Sequence, residues 1–469
     1  MPPTPSLTLA SSRGRWVVAT TSLGTGLAFL DQTVVNVALP TLGEDLGATT
    51  SQLQWVVNAY LVTLASLVLA GGALGDRLGR RRVFLVGAVW FAVASLACAL
   101  ATDPGTLIAA RAVQGIGAAL LVPGSLSLIQ ASFRPADRSA AIGWWTGLGG
   151  IAMVVGPLVG GSLVELVSWR WIFGINLPVA ALVVWAGLRH VPESRDDALP
   201  PDLRGLDLPG TLASVLALGG ATYALIEAGT PGTVPAAVVA ATGLVALVVV
   251  ERRAHRPLVP VELFADRTFA TANALTLLVY GALGSLTFFL VLQLQTTTGW
   301  SAVEAGLATV PITAMMLVGA GPSGAFASRH GPRPQLVLGP VLAAVGTWLL
   351  AGVDADTDYL TGVLPGVLVF GAGLVVLVPP LTSSVLAAAP DEHAGAASGV
   401  NNALARTGSL LAVAALPSIV GLSGAQYADP TALTDAYRDA QHLAAGLLAL
   451  GAVAAYVGLP RRLALHETT

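Results

Sequence analysis

Two ionisable side chains stand where charge is costly. Asp31 lies inside residues 16–39 and Arg111 inside residues 106–129, both long and apolar enough to cross a bilayer. A spanning helix needs about 20 mainly apolar residues, and a charge deep within one marks a proton, ion or substrate path by default. Gln114 and Gly115 follow Arg111 by three and four residues, so they share its face of a helix. If the first span runs outward and the fourth inward, Asp31 sits ~12 Å and Arg111 ~8 Å from the outer ends, close enough in depth to meet. A carboxylate and a guanidinium that approach and separate can switch the carboxylate's affinity for a proton. A purely structural ion pair is the competing reading, although buried pairs are weak stabilisers.

Other polar groups fall within apolar stretches. Asn36, Asn58, Gln293, Asn401, Asn402 and Arg406 either line a cavity or bond between helices. Tyr280 and Phe288, with Phe289, Trp144 and Trp145, are either pocket walls or lipid-facing rings. Glu227 is expected as a solvated helix-end residue, and Glu165 and Glu304 as loop residues. Six scattered histidines and a single cysteine, Cys98, give no metal site and no internal disulfide. There is no phosphate-binding GxxxxGK[ST] loop, so ATP is not the expected energy source.

These residues need a frame of helices to hold them. The 469 residues are 54% hydrophobic and only 10% charged, where soluble domains carry about 25% charged residues. Hydropathy divides the chain into fourteen spans: residues 16–39, 52–74, 83–101, 106–129, 138–163, 170–189, 207–228, 234–251, 270–296, 302–327, 335–352, 360–381, 395–420 and 440–460. Each must be a helix, since an open sheet would leave backbone groups unpaired in lipid. The chain has no lysine, so arginine alone tests the topology. With the N-terminus inside, 19 of the 23 arginines are cytoplasmic, only Arg170 and Arg438 are outside, and Arg111 and Arg406 lie within spans. That asymmetry is the positive-inside bias.

The chain partly repeats itself. GALGDRLGRRR from Gly72 is echoed by GAFASRHGPRP from Gly324, and VQGIGAALLVP from Val113 by VFGAGLVVLVP from Val369. The offsets, 252 and 256 residues, agree in order and spacing. The copies differ in chemistry: Arg111 corresponds to Val367, Gln114 to Phe370 and Asp76 to Ser328. The polar machinery is therefore concentrated in the first half. Two parallel-related halves with a site between them form a transporter layout.

The stretch from Gly72 through Asp76, Arg77, Gly79, Arg80 and Arg81 to Arg82 is a tight, arginine-rich inner loop between two helices. Its G-x-L-x-D-R-x-G-R-R-R order resembles the signature loop of the major facilitator superfamily. LDQTVVNVALP from Leu30, RAVQG from Arg111 and WRWIFGINLP from Trp169 narrow the resemblance to the fourteen-span drug:proton antiporters of the EmrB/QacA type. Gly156, Pro157, Gly160 and Gly161 match most of that branch's fifth-span antiporter motif, with Ala152 in place of its first glycine. Glycine and proline in this span also fit a plain kink and close helix contact.

The resemblance implies an all-α membrane protein with 14 transmembrane helices, arranged 6 + 2 + 6, with both termini cytoplasmic. Residues 1–14 are expected as a disordered tail, 15–190 as the first bundle, and 191–268 as linkers around two inserted spans (about 207–251). Residues 269–460 are expected as the second bundle and 461–469 as a tail. The implied activity is proton-coupled export of lipophilic small molecules, drugs or antibiotics, across the plasma membrane. Asp31 and Arg111 would couple protons, the Asp76 loop would latch one conformation, and the Gly156–Pro157 span would seal the pathway. A proton-coupled importer of the same fold is the alternative, and a membrane-embedded enzyme or sensor a more distant one. The expected partners are protons, membrane lipids and the transported compound. A monomer with no cofactor and no nucleic-acid partner is expected.

Overall fold

The computed structural model describes residues 7–195, 206–254, 259–390, 394–422, 426 and 429–460. Arg204, Arg256, Arg461 and Arg462 of the inner-side set lie outside the described residues. Among the described residues the regular secondary structure is all helical, apart from an isolated bridge between Leu7 and Phe133. The helices are α1 (Ser12–Leu46), α2 (Thr50–Leu78), α3 (Arg80–Ala99), α4 (Pro104–Ser132), α5 (Pro135–Leu166), α6 (Trp171–Gly174), α7 (Asn176–His190), α8 (Leu208–Ile226) and α9 (Thr233–Arg253). They continue as α10 (Arg267–Thr296), α11 (Ala302–Leu307), α12 (Val310–His330), α13 (Arg333–Leu350), α14 (Leu364–Ala387), α15 (Ala394–Ile419) and α16 (Pro430–Gly458).

Local chemistry sets the boundaries. Thr49 and Gln52 form a capping box that starts α2, and Asp103 caps α4 ahead of Pro104. Gly79 has φ +111° and separates α2 from α3, a backbone that a side chain would strain. Eleven helical segments among the described residues are long and apolar enough to cross a membrane. In the α9 window only 6% of residues are buried, against 72% in α10. The outward apolar residues of α9 (Val238, Val245) and α16 (Leu450, Val457) therefore make a lipid-facing surface rather than a second core.

Helices α1–α7 pack chiefly on one another, and so do α10 and α12–α16, while α11 packs chiefly on α5. The hairpin α8–α9 lies against α2 and α15. The sequence echo is also a packing echo. A Cβ on Gly87 would stand 3.0 Å from the Gly117 carbonyl, and one on Gly339 would stand 3.0 Å from that of Gly373. A Cβ on Gly117 would meet the backbone of Phe91 at 2.7 Å, and one on Gly373 that of Ala343 at 2.4 Å. These pairs are related by the same 252- and 256-residue offsets, so α3–α4 and α13–α14 are the same close-packed hairpin. Gly331, 252 residues after Gly79, likewise has positive φ, +81°.

Residues 7–11, expected within a disordered tail, are instead tied to the start of α5. Leu7 N donates to Ser132 O at 2.8 Å, Arg134 N donates to Leu7 O, and Leu9 N donates to Asp137 Oδ2. Backbone pairing, which composition does not reveal, orders this segment.

Candidate functional site

Asp31 and Arg111 meet. An Arg111 Nη1 donates to Asp31 Oδ2, and both side chains are almost wholly buried. Three more helices complete the cluster. Gln114 Nε2 donates to Asp31 Oδ1 at 2.8 Å while its Oε1 accepts from Arg111 at 2.5 Å. Asn176 of α7 donates to the same Oδ1 at 3.1 Å. Ser95 of α3 accepts from both amides, at 2.8 and 3.2 Å. Arg111 Nε donates to Val56 O at 3.0 Å, and the guanidinium lies 4.4 Å above the Tyr60 ring of α2. The Phe173 ring lies 5.8 Å from the same guanidinium.

Asp31 thus accepts three hydrogen bonds, one of them from the paired guanidinium, so neither oxygen of the buried carboxyl is left without a partner. The arrangement relies on tight helix approach: a Cβ on Gly115 would overlap Thr63 and the Tyr60 carbonyl. Gln114 and Arg111 share a face as their spacing requires. Asn176 and Ser95 were not legible as site residues. Asn176 is the asparagine of the WRWIFGINLP stretch, and that stretch was its only signal.

The inner-loop residues sit apart from this cluster. Asp76 pairs with Arg80 Nε at 2.8 Å across the Gly79 turn. Glu193, after α7, accepts from Arg81 N at 3.0 Å and lies 3.7 Å from both Arg81 Nε and Arg82 Nε. Ser194 O accepts from Arg80 N at 2.8 Å. The turn is therefore gripped by residues 191–194, and Arg77 is buried beside it.

The α5 motif forms two contacts on two faces. Gly156 and Gly160 leave room for Thr33 and Val34 of α1, where a Cβ would come within 2.1 and 2.8 Å. Gly161 packs on Val303 and Pro157 on Gly306, both of α11. Ala152 stands opposite Gly26, whose added Cβ would lie 3.3 Å from that of Ala152. At this level the small residue that allows close approach is thus Gly26 of α1.

The remaining candidates divide. Gln293 donates to Val353 O and Thr434, and Asn401 to Asn273 and Thr276, so these bond between helices of the α10–α16 group. Phe288 is buried edge-on against Phe289, and Tyr280 lends its carbonyl to Ser409. Asn402 is half-buried. Asn36 Oδ1 and both polar side-chain atoms of Asn58 are buried without hydrogen-bond partners. Arg406 donates to Gln32 Oε1 of α1 at 3.0 Å and lies over the Phe29 ring. Glu227 is no mere solvated end: it accepts from Ser51 and from Trp55 Nε1, fastening α8 to α2. Glu165 closes the last turn of α5 and accepts from Val303 N, while Glu304 caps α11.

Residues 21–413 match the Major Facilitator Superfamily. The chain belongs to that superfamily. Among curated relatives, this major facilitator is 38% identical to the puromycin resistance protein Pur8 of Streptomyces alboniger, over 94% of this chain and 91% of that one. It is 34% identical to the tetracenomycin C resistance and export protein of Streptomyces glaucescens, over 86% of this chain and 76% of that one. Its fold is that of a bacterial homologue of the human lysosomal transporter Spinster, with TM-score 0.70, 16% identity and coverage of 96% and 97%.

Proposed function

We propose that this chain is a drug exporter of the plasma membrane that exchanges protons for lipophilic small molecules, antibiotics among them. Relatives named for resistance to or export of puromycin and tetracenomycin C support the export reading. The observation that carries proton coupling is the buried cluster of Asp31, Arg111, Gln114 and Asn176. A proton on Asp31 removes the charge that holds Arg111. The guanidinium then keeps Val56 O, Gln114 Oε1 and the Tyr60 face. Each protonation state therefore favours a different packing of α1 against α4, which biases the two halves between two openings.

The fourteen-span reading counts α1, α5 and α15 with the eleven apolar segments, since each is packed among them. The division into six, two and six spans, the cytoplasmic termini and the EmrB/QacA-type branch follow from this reading. With the arginine-rich turn inside, three hydrogen bonds between the halves lie toward the outer end and one, from Arg406 to Gln32, lies deeper. Gln54 donates to Val413 O, Gln295 to Val37 O and Val303 N to Glu165. In that orientation α5 and α11 meet at the outer side.

Everted vesicles with an inside-acid gradient test the reading. Substrate should collapse the gradient in vesicles carrying the protein and not in controls. Uptake of compound without proton movement would overturn the antiport assignment.

A further inference from the structure

We propose that Arg406, with the orphaned amide of Asn58, recognises an oxyanion on the transported compound, the carboxylate or ionised phenol of a lipophilic organic anion. The inference rests on the export reading and adds a substrate class to it.

Gly399, Arg406 and Val413 are spaced by seven residues and lie along one stripe of α15. That stripe faces α2. A Cβ on Gly399 would touch Leu69, and Val413 O accepts from Gln54 at 3.1 Å. On α2, Asn58 follows Gln54 by four residues and precedes Leu69 by eleven, which keeps it on the opposing stripe. Counted from the Gln54–Val413 contact, Asn58 lies ~6 Å and Arg406 ~10 Å inward, a difference the arginine side chain can span. From α1, Phe29, Gln32 and Asn36 bring their own shared face to the same level.

The charge at this junction is uncompensated. Among the described residues Arg406 has no carboxylate partner; Gln32 and the Phe29 ring are what it meets. Asp31 is already committed to Arg111. A guanidinium has five N–H donors, and a single acceptor leaves most of them free. Asn58 is wholly buried with neither side-chain atom bonded, and Asn36 Oδ1 is in the same condition. Buried amides are normally satisfied, so three orphaned atoms on the helix stripes that face Arg406 at similar depth point to an absent ligand. An oxyanion accepts from the guanidinium as a two-point fork and from Asn58 Nδ2, while Asn58 and Asn36 oxygens accept from a hydroxyl on the same compound. A cation placed there would face Arg406 in a medium of low dielectric and be repelled.

The probes are 1-naphthaleneacetate, its amide and 1-naphthylmethylamine, bound to the full chain in nanodiscs and assayed in everted vesicles. The acetate should bind about tenfold more tightly than the amide, as a charge-assisted hydrogen bond allows, and the amine more weakly still. Arg406→Gln should bring the acetate to the level of the amide, with a far larger loss for the acetate than for the amide. Arg406→Lys should keep part of the preference, which guards against a merely misfolded variant. Asn58→Leu should weaken the acetate more than the amide. Equal binding of acetate and amide by the wild type would overturn the proposal. So would a uniform loss for all three compounds in Arg406→Gln, the signature of a latch between the halves. If the acetate is preferred but no probe moves protons, the export reading fails and the recognition site stands. If the amide is exported with proton exchange and the charge series is flat, the reverse holds.

Discussion

Asn176 Nδ2 donates to Asp31 Oδ1 at 3.1 Å across 145 residues of sequence, and with Gln114 it fills the side of the carboxylate that Arg111 leaves open. Asp31 therefore has both carboxyl oxygens occupied in this conformation, and α1 must move for its pairing with Arg111 to break. An asparagine at position 31 can accept from both amides on its oxygen, but it turns an NH2 toward Arg111.

Asp31→Asn should insert and fold yet lose proton-coupled efflux. Its melting temperature in detergent should fall, because removing one partner of a buried pair costs about 3–5 kcal/mol. Adding Arg111→Gln should recover much of the stability and none of the transport. Retention of gradient-driven efflux by Asp31→Asn would end the assignment of Asp31 as proton carrier.

Asp76→Asn should slow turnover while sparing substrate affinity. The motivation is its pairing with Arg80 across the Gly79 turn, in a loop gripped by Glu193 and distant from the midplane. Cysteine probes on the inner face should report a shifted conformational balance. A large loss of affinity with unchanged accessibility would rule out a latch.

Much of this was written in the chain. The 252- and 256-residue echoes predict that α3–α4 and α13–α14 pack alike, and glycine contacts at matched positions bear that out. The depth of Asp31 and Arg111 follows from helical rise, so their meeting was foreseeable. What the sequence hid is which neighbour each uncharged polar group takes. Gln293 and Asn401 look the same as Asn58 in a hydropathy trace, yet the first two bond within the α10–α16 group and Asn58 is orphaned. Helix orientation about its own axis decides this, and apolar residues on nearly every face carry little periodic signal. The ordering of residues 7–11 was invisible for another reason, because backbone hydrogen bonds do not depend on side-chain type.

Gly160→Val should abolish transport more strongly than Ala152→Gly alters it. The added Cβ at 160 would lie 2.8 Å from Val34 and force α5 off α1, while Gly26 already gives Ala152 its space. Substrate-free proton leak through liposomes checks this: the Gly160 variant should leak more and Ala152→Gly should match wild type. Equal leak in the two variants would contradict a sealing role for the α1–α5 contact.

The last prediction separates two aspartates of α1, Asp31 buried within the helix and Asp45 at its end. Asp45 accepts from Trp169 Nε1 at 2.7 Å and from Arg170 Nη1 at 3.0 Å, tying the end of α1 to the turn before α6. The Trp169 hydrogen bond first, and Arg170 second, hold its carboxyl below the usual carboxylate range. A depressed folded-state value means that the tie is fully present above the unfolded value of about 3.9 and is lost only as pH falls through the lower folded value. Between pH 5 and 8 Asp45 therefore stays charged and contributes no pH dependence. Asp45→Asn should loosen the outer end, seen as faster labelling of a cysteine placed at Ala302, while the shape of the transport–pH profile over that range is unchanged. A profile whose midpoint moves in Asp45→Asn would mean that an outer carboxylate, rather than the buried cluster at Asp31, receives the transported proton.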